Sequence, residues 1–590
     1  MAFNKYYQDE LSFLSELGKE FAQKNPKLAP FLAERGNDPD VERLLEGFAF
    51  LSGRLRQKLD DELPELTHTL IALLWPHYLR PLPAMSILQF DPVPSALMEK
   101  QTIPRGCTVD SVPVEGTQCH FKTCYDVDIY PLRLENLSLE RVAEGSVLSL
   151  RFTLEPGVEL SKLALENLRL FLHGEAYISY SLYLWLCRYV DKVRVRAHGS
   201  DAEFTLSKRV VRPLGFAEEE GLLPYPPNAF LGYRLLQEYF SLPEKFLFFD
   251  INELNPVTQF MNADGFDLIF HFSSPLDDQI HQNLKTHHVR LYCTPIINLF
   301  PLDASPIRLD HRRVEYRIRP EGNPPEHYEI YTVDKVEGVL PGSAERQRYY
   351  AFESFDHALT GKESPTFYRT RLRPSVVQHG RDAYEGVDTY IAFVTATENA
   401  SLPPVETISI ELTCSHRHLA GELKRGEICV ATGKTPEFVT FENITVVTPS
   451  FPPPLEAGLH WQLISNMSLN YISLANVEAL RVILSAYDFG AYYNVQTARE
   501  SQLRREGIAA IQPRPVDVLH HGTPVRGIRT HIDMHESKFA GEGDMYLFAS
   551  VLNEFFALYA SINAFHQLEV KTERGEIYLW PARLGQQHLI

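Results

Sequence analysis

Apolar residues near the start of the chain recur at steps of three and four residues, which places them on one face of an α-helix. The first such series comprises Tyr7, Leu11, Leu14, Leu17 and Phe21. Asn25 and Pro26 end it, because proline lacks the N–H group that the interior of a helix requires. The pattern therefore predicts an amphipathic helix at the N-terminal end.

A second helical series begins at Asp38 and Pro39, since an aspartate side chain can cap the first turn and proline fits that turn. Its apolar positions follow steps of 4, 3, 7 and 4 residues, close to a heptad seam. They are Val41, Leu45, Phe48, Leu55 and Leu59, with Leu44 and Leu51 widening the stripe. The stripe must be covered, either by other parts of this chain or by a partner helix, and the sequence leaves both alternatives open. In the second case these residues form the candidate partner-binding site.

The helical region is predicted to end near residue 75. Residues 66–75 form a third helical series, which Pro76 terminates. Seven prolines between residues 76 and 113 then separate short apolar runs, a spacing typical of short strands and turns. We therefore expect Trp75 and Pro76 to form a hinge between the helices and a β-rich region.

Alternation of apolar and polar residues predicts strands over much of the remaining chain. In the clearest case Leu148, Leu150, Phe152 and Leu154 share one strand face. Further strands are predicted around residues 85–90, 119–129, 245–250, 267–272, 288–293 and 405–448. Helices are predicted at residues 176–188, 228–240, 477–487 and 545–565, and a hairpin at residues 568–580.

The predicted fold class is α+β multidomain, with an N-terminal helical segment, β-rich domains and a C-terminal α+β domain. Proline-rich breaks at residues 321–325, 402–404 and 451–454 mark candidate domain edges. The expected domains are a helical segment (1–80), a β-rich domain with inserted helices (81–320), a β-rich middle domain (321–450) and an α+β domain (451–590). A chain of 590 residues is long enough to form several cores.

The charge balance argues against two classes of partner. Lysine and arginine number 57 and aspartate and glutamate 76, so the formal net charge is −19. An acidic chain repels nucleic acid and anionic lipid, and we expect neither as a main partner. Seven cysteines without a CxxC pair fit a reducing compartment. Because no signal-peptide pattern and no run of about 18 apolar residues occurs, we expect a cytoplasmic protein.

Only a few clusters have spacings that resemble known reactive sites. Cys414, His416 and His418 would share one face of a strand, but neighbouring side chains on that face lie about 6–7 Å apart, too far for one Zn²⁺. A partly exposed polar strand is the expected alternative. His531 and His535 have helical spacing but lack the glutamate that follows the first histidine in zinc proteases.

The remaining candidates also lack a required element. The adjacent histidines at residues 287–288 and 520–521 are expected to point apart, and residues 433–435 lack the first glycine of a phosphate loop. We therefore assign no catalytic, cofactor-binding or metal-ligating residue. The residues alone still leave open a hydrolase with a divergent, motif-free active site, or a carbohydrate- or peptide-binding β module.

Several stretches together resemble the TssF family, baseplate subunits of the bacterial type VI secretion machine. They are YYQDEL at residues 6–11, DPDVERL at 38–44, WPHYLRPLP at 75–83, GYRLLQEYF at 232–240 with PEKF at 243–246, CTPIINLF at 293–300, VLNEFF at 551–556, YASIN at 559–563 and WP at 580–581. The stretches are long and occur in order from one end of the chain to the other, which makes the resemblance specific.

The resemblance implies a structural role similar to that of a wedge protein in contractile-phage baseplates. TssF-like chains pair as two copies with one TssG subunit, and this wedge joins the TssK adaptor and the sheath-initiating TssE subunit. Six wedges are expected to surround the puncturing hub protein, VgrG, on a platform that docks from the cytoplasm onto an inner-membrane complex. The family pattern includes no catalytic residue or cofactor, so the resemblance implies neither enzyme activity nor a small-molecule substrate.

Overall fold

The computed structural model describes most of the chain from residue 39 onward. The described residues are 7, 11, 14, 39–143, 145–199, 202–226, 229–260, 263–310, 312–322, 324–340, 342, 346–352, 366–375, 386–395, 405–455, 460, 463–464, 476–520, 523–562 and 564–585. The chain divides into two compact units, residues 1–79 with 455–465 and residues 80–454 with 466–590.

The helices of the described residues alternate with strands along the chain. In chain order the α-helices are α1 Pro39–Leu74, α2 Ala176–Leu184, α3 Leu231–Ser241, α4 Asp278–Asn283, α5 Val477–Ala486, α6 Phe489–Tyr493, α7 Val495–Glu506 and α8 Glu542–Ala557. Within the described residues, no helix combines the length and the apolar character needed to cross a bilayer.

Most strands are short, and they lie in the second unit. The strands of the first half of the chain are β1 Met85–Pro92, β2 Gln101–Ile103, β3 Thr108–Val114, β4 Thr117–Thr123, β5 Val127–Ile129, β6 Leu132–Val142, β7 Gly145–Leu154, β8 Leu168–Leu172, β9 Val190–Ala197, β10 Glu203–Ser207, β11 Val211–Pro213, β12 Phe248–Ile251, β13 Gly265–Phe272, β14 Val289–Leu291 and β15 Cys293–Ile297. Those of the second half are β16 Phe300–Asp303, β17 Ile307–Leu309, β18 Tyr316–Arg317, β19 Glu329–Val339, β20 Arg346–Ala351, β21 Thr366–Pro374, β22 Val387–Thr395, β23 Glu406–Ser415, β24 Val430–Ala431, β25 Val439–Asn443, β26 Ile508–His520, β27 Thr523–Met534, β28 Phe565–Thr572, β29 Ile577–Leu579 and β30 Arg583–Leu584. The architecture is the predicted α+β class.

In the first unit α1 is one continuous helix of 36 residues. Its predicted start at Pro39 and its end before Pro76 are confirmed. The predicted division into a second and a third helical series is wrong, because the apolar stripe lapses between residues 59 and 66 while the backbone hydrogen bonds of a helix do not depend on that stripe. Positions 7, 11 and 14 of the first series are also helical, and positions 17 and 21 lie outside the described residues.

A six-stranded antiparallel sheet in the second unit has the strand order β24-β3-β4-β15-β1-β25. β1 lies between β15, where Met85 is opposite Ile297, and β25, where Leu88 is opposite Asn443. Every residue from Met85 to Phe90 is buried. One sheet therefore joins residues 85–92 to residues 293–297 and 439–443, which lie far away along the chain.

Two smaller antiparallel sheets have the orders β10-β9-β13-β7-β6 and β11-β12-β8-β14, and β2 pairs with β5. The alternation predicted for residues 148–154 is confirmed in β7, where Leu148, Leu150 and Phe152 are buried. The predicted helix at residues 176–188 is α2, which continues as a π-helical turn, Trp185–Tyr189. The predicted helix at residues 228–240 is α3.

An eight-stranded sheet has the order β16-β23-β19-β20-β21-β22-β18, and β17 also pairs with β23. Its core includes Ile391, Ile408, Ile410 and Leu412, each at most 1% exposed. Strands β16 to β18 precede residue 320 and strands β19 to β23 follow it, so strand pairing continues across that position.

The C-terminal sheet has the order β26-β27-β28-β29, with β30 also paired with β28. β27 and β28 are parallel, and the connection between them contains α8. The predicted hairpin at residues 568–580 is confirmed by the antiparallel pair of β28 and β29. The predicted helix at residues 545–565 extends too far: α8 ends at Ala557, and Phe565 already begins a strand that pairs with β27.

Candidate docking surfaces

The exposed face of α1 carries large apolar side chains. Leu44 is 75% exposed, Phe48 57%, Leu51 62% and Leu73 42%. With 3.6 residues per turn, these four side chains project within about 60° of one another. We call these four side chains the α1 ridge: three lie within about two turns near the start of the helix, and Leu73 lies on the same side near its end.

The opposite side of α1 is buried at the positions that the structure describes. Ala49, Gly53, Thr67 and Ile71 are all buried, and they project about 150° away from the α1 ridge. In a helix that only packs against its own protein, most large apolar residues face the core. The exposure of the α1 ridge is therefore typical of a helix face that another molecule covers.

The predicted stripe is described only in part. Phe48 lies on the α1 ridge, exposed to solvent, as do the flanking residues Leu44 and Leu51. The side chains of Val41, Leu45, Leu55 and Leu59 lie outside the described residues. Phe48 is thus 57% exposed to solvent, and the role of the whole stripe in partner binding stays a prediction.

Trp75 and Pro76, the predicted hinge, lie at the end of α1. The Trp75 N–H donates to the carbonyl of Ile71 at 2.7 Å, and a 3-10 turn, Pro76–Leu79, follows. Pro76 has no N–H with which to continue the helical ladder. The boundary between the two compact units falls directly after this turn, between residues 79 and 80. Whether the segment bends stays a prediction.

The stretch of residues 232–246 that resembles the TssF family contains α3 and a following 3-10 turn, Pro243–Phe246. The predicted pair of Arg234 and Glu238 is present but long, with Nε and Oε1 at 3.9 Å. The closer partner of Glu238 is Lys245, and both side chains are almost completely buried. Burial lowers the pKa of the Lys245 ammonium group, although the neighbouring Glu238 carboxylate opposes that change. This ion pair fixes the turn against α3.

Aromatic contacts join α8 to the helices that precede it. The hydroxyl groups of Tyr233 in α3 and Tyr559, just after α8, lie 2.8 Å apart, and the rings of Phe230 and Tyr559 are 4.2 Å apart. Gly543 in α8 lies directly against α2, because a Cβ at this position would be 2.2 Å from the Tyr180 carbonyl oxygen. These contacts pack α8 closely against α2 and α3 within the second unit.

Residues 414–417 are buried and His418 is half-buried, so the expectation of a partly exposed polar strand is wrong for Cys414 and His416. β23 ends at Ser415, and His416 is 0% exposed. Asn298 binds His416 twice: its Oδ1 accepts from the His416 N–H at 2.7 Å, and its Nδ2 lies 3.0 Å from Nδ1. Burial lowers the pKa of His416 to about 3, which keeps the ring neutral. Among the described residues, no group of three His, Cys, Asp or Glu side chains is arranged to hold a metal ion.

The other histidine pairs differ from the sequence-based expectation. His531 lies in β27 and His535 just after it, so their spacing is not helical; His531 contacts Glu569 at 3.1 Å. His287 and His288 do not point apart, since their ring centroids are 4.3 Å apart. Both residues lie in a 3-10 turn, Thr286–His288.

A carboxyl pair that the sequence did not indicate lies between α8 and β29. The Tyr578 hydroxyl contacts both Glu542 and Glu576, the latter at 2.9 Å. The Tyr578 hydroxyl can donate its proton to only one carboxylate at a time. The arrangement of both glutamates around this hydroxyl is therefore more stable when one carboxyl group is protonated. Burial, together with Glu576, raises the pKa of Glu542 to about 7. The two glutamates are 34 residues apart in the chain, and no local pattern brings them together.

Comparison with known protein families gives one match that covers almost the whole chain. Residues 1–587 match the family described as "Type VI secretion system, TssF". A curated relative, the type VI secretion system component TssF1 of Pseudomonas aeruginosa strain PAO1, is 32% identical over 629 aligned positions, covering 99% of this chain and 98% of the relative.

Two solved structures share the fold. A chain of the type VI secretion system TssK-TssF-TssG baseplate subcomplex, determined by cryo-electron microscopy, matches with a TM-score of 0.76 and 32% identity, covering 93% of this chain and 99% of its own length. A chain of a structure described as the baseplate complex from the type VI secretion system matches with a TM-score of 0.63 and 27% identity over the full length of both chains.

Proposed function

The chain belongs to the TssF family of type VI secretion system baseplate proteins, and we propose that it is a structural wedge subunit of the baseplate. In this role it acts by binding other protein subunits and catalyses no reaction. The observation that carries the proposal is the α1 ridge, because large apolar side chains exposed together on one helix face are typical of a surface that another protein covers.

The partner that covers the α1 ridge is a TssG-type subunit. A solved subcomplex contains TssK, TssF and TssG together, and its matching chain shares this fold over 93% of the present chain. Two copies of the chain pair with one TssG, and the wedge then joins TssK and TssE around VgrG. The assembled platform sits in the cytoplasm, docked on the inner-membrane complex. The copy number, TssE, VgrG and the membrane complex follow from the family resemblance.

The predicted stripe and hinge have separate roles in this proposal. Val41, Leu45, Phe48, Leu55 and Leu59, together with the α1 ridge, form the helix face that packs against the partner. Trp75 and Pro76 allow this helix to change its direction relative to the second unit during assembly. Support for the hinge comes from the loss of the helical hydrogen bond at Pro76 and from the unit boundary after residue 79.

The contribution of the α1 ridge to binding can be estimated from its exposed side chains. Full burial of one leucine or phenylalanine contributes about 1.5–3 kcal/mol. Leu44, Phe48 and Leu51 are between 57% and 75% exposed, so together they offer about 3–6 kcal/mol on becoming covered. Replacing all three with aspartate also places charges in an apolar contact. We expect the L44D/F48D/L51D variant to bind TssG about 100-fold more weakly or worse.

Co-expression of the full chain with TssG, followed by affinity purification of either subunit, tests this proposal. The matched control is M98D/V314D/V495D, which places three aspartates at exposed apolar positions of the second unit. We expect the control to bind TssG normally and the ridge variant to lose TssG while keeping its circular dichroism spectrum and melting temperature. Full binding by a folded ridge variant contradicts the use of α1, whereas a wild-type chain that ignores TssG contradicts the wedge role itself.

A further inference from the structure

The β26–β27 hairpin extends beyond the rest of the C-terminal sheet. The two strands pair from Ile508 opposite Met534 to His520 opposite Thr523. β28 pairs with β27 only from Gly527 onward. At Gly527 the backbones approach so closely that a Cβ would lie 2.3 Å from the Phe565 carbonyl oxygen. Beyond this point residues 516–520 and 523–526 form a two-stranded ribbon, here called the arm.

The arm has an apolar face. Val518 is directly opposite Val525, and Val516 lies two residues from Val518 on the same side. All three side chains are only half-buried. An isolated two-stranded ribbon is marginally stable in water, and it becomes stable when an apolar face is covered. The three valines therefore indicate that the arm is completed by a neighbouring molecule.

The outer edge of β26 is closed to strand addition just before the arm. Pro513 and Pro515 occupy alternate positions opposite Thr530 and Ile528. Proline lacks the N–H that a further strand would need, and within sheets it is confined to edges of this kind. A partner strand therefore cannot pair along the whole of β26, and we expect the partner to contact the side chains of the face that carries the valines.

The base of the same face holds two arginines in direct opposition. Arg514 is paired across the strands with Arg529, an arrangement of like charges that destabilises a sheet unless anions compensate it. Arg529 has Glu569 at 3.8 Å and donates to Gln567 at 3.0 Å. In the described part of the chain Arg514 has no carboxylate partner and donates to Gln512 at 3.3 Å. Arg514 is exposed and can therefore bind a carboxylate of another molecule.

The other face of the arm is balanced in charge. Asp517 lies directly opposite Arg526, so a carboxylate and a guanidinium occupy neighbouring positions. That face therefore has no excess positive charge. The two faces of the arm therefore differ in charge. A substitution on this face can serve as the control for a substitution on the face that carries the valines.

We propose that the arm docks onto a neighbouring baseplate protein through Val516, Val518 and Val525, and that this neighbour places a carboxylate against Arg514. The partner surface is apolar at its centre and acidic at its rim. The inference rests on the proposed baseplate role, because that role supplies the neighbouring protein. It adds a second contact site in the second unit, separate in sequence from the α1 ridge.

Zero-length cross-linking in the assembled complex tests the arm directly. The full chain is co-expressed with TssG and TssK as the R514K variant, and a carbodiimide joins amines to carboxylates that are already in contact. We expect cross-links from position 514 to an aspartate or glutamate of another chain, identified by mass spectrometry. They should disappear in about 1 M salt, where charges are screened beyond roughly 3 Å. The matched control, R526K, should give at least about tenfold fewer cross-links to other chains.

Binding measurements complete the test. R514E and V518D should each weaken retention of the cross-linked partner about tenfold or more, whereas R526E should leave it unchanged. Cross-links from position 514 only within its own chain, or equal effects of R514E and R526E, overturn the proposal while leaving the TssG contact at α1 intact. Arm-dependent binding to phosphatidylglycerol vesicles or to DNA, without a protein cross-link, also overturns it. A complex that never forms overturns the baseplate role as well.

Discussion

Glu238 and Lys245 offer a sharp test of how the second unit is held together. Their side chains are 0% and 1% exposed. The second carboxylate oxygen of Glu238 accepts the N–H groups of Leu222 and Leu223 at 2.7 and 2.9 Å. The variant E238Q keeps an oxygen for these two donors, removes the negative charge and replaces the oxygen that accepts from Lys245 with an amide NH2 group. The ammonium group of Lys245 is then buried without a counter-ion.

Breaking a buried ion pair by removing one partner is expected to lower the free energy of unfolding by about 3–5 kcal/mol. K245M leaves the Glu238 carboxylate with only the more distant Arg234 guanidinium, 3.9 Å away, and should destabilise by a similar amount. The double variant E238Q/K245M removes both charges of the pair and should lose only about 2–4 kcal/mol. The coupling between the two sites is therefore expected to be at least about 2 kcal/mol.

The pH dependence gives a second, independent signature. Burial lowers the pKa of Lys245 in the folded protein, so the unfolded chain binds more protons than the folded one. Under this condition stability rises with pH. In E238Q the opposing effect of the carboxylate is removed, so we expect its stability relative to wild type to increase from pH 6 to pH 9.

Urea unfolding of the four proteins, followed by near-ultraviolet circular dichroism, measures these differences. The matched control is E411Q, which breaks the exposed pair of Lys335 and Glu411, 3.2 Å apart, and should change stability by less than about 1 kcal/mol. If the changes in the free energy of unfolding caused by E238Q and K245M are additive and do not vary with pH, the two buried charges do not stabilise each other and the reasoning is refuted.

Two further predictions concern α8. Burial raises the pKa of Glu542 to about 7 in the folded protein, whereas a glutamate in the unfolded chain has a pKa of about 4.3. The protonated Glu542 therefore stabilises the folded protein fully below about pH 4.3, and this contribution is lost as the pH rises through about 7. The melting temperature of E542Q should vary less than that of wild type between pH 5 and 8; an unchanged pH profile would show that the contact with Tyr578 does not hold a proton. G543A should lower the free energy of unfolding by about 1–3 kcal/mol, because its methyl group meets the Tyr180 carbonyl. G47A, with nothing within 4 Å, should stabilise α1 slightly, and equal effects of the two alanines would contradict the close packing at Gly543.

Local signals in the sequence identified several elements accurately. Pro39 and Pro76 delimit α1, and the alternation in residues 148–154 identifies β7. Both signals are properties of a few neighbouring residues, since proline restricts its own backbone and strand periodicity is visible over six residues. The whole-chain resemblance to TssF was recognisable for a related reason, because its motifs are contiguous stretches.

The same local reasoning failed where two patterns overlapped. Helical spacing of apolar residues continues past Ala557, so the helix was extended into β28. The β26–β27 hairpin was missed because Pro513 and Pro515 interrupt an otherwise strand-like run, and because His531 and His535 have a helical interval. Prolines are compatible with a strand only at an edge, and edge position is not a property of the strand's own sequence.

The sequence by itself determined the class of the protein: its helical start, its β-rich body, its acidic charge and its family. The tertiary structure decided which face of α1 is covered, that Glu238 pairs with Lys245 more closely than with Arg234, and that β1 lies between β15 and β25. Periodicity and backbone restrictions are carried by neighbouring residues. Which side chains and strands pack against each other depends on the free energy of burying residues that can lie hundreds of positions apart in the chain. Only the folded chain brings those residues together.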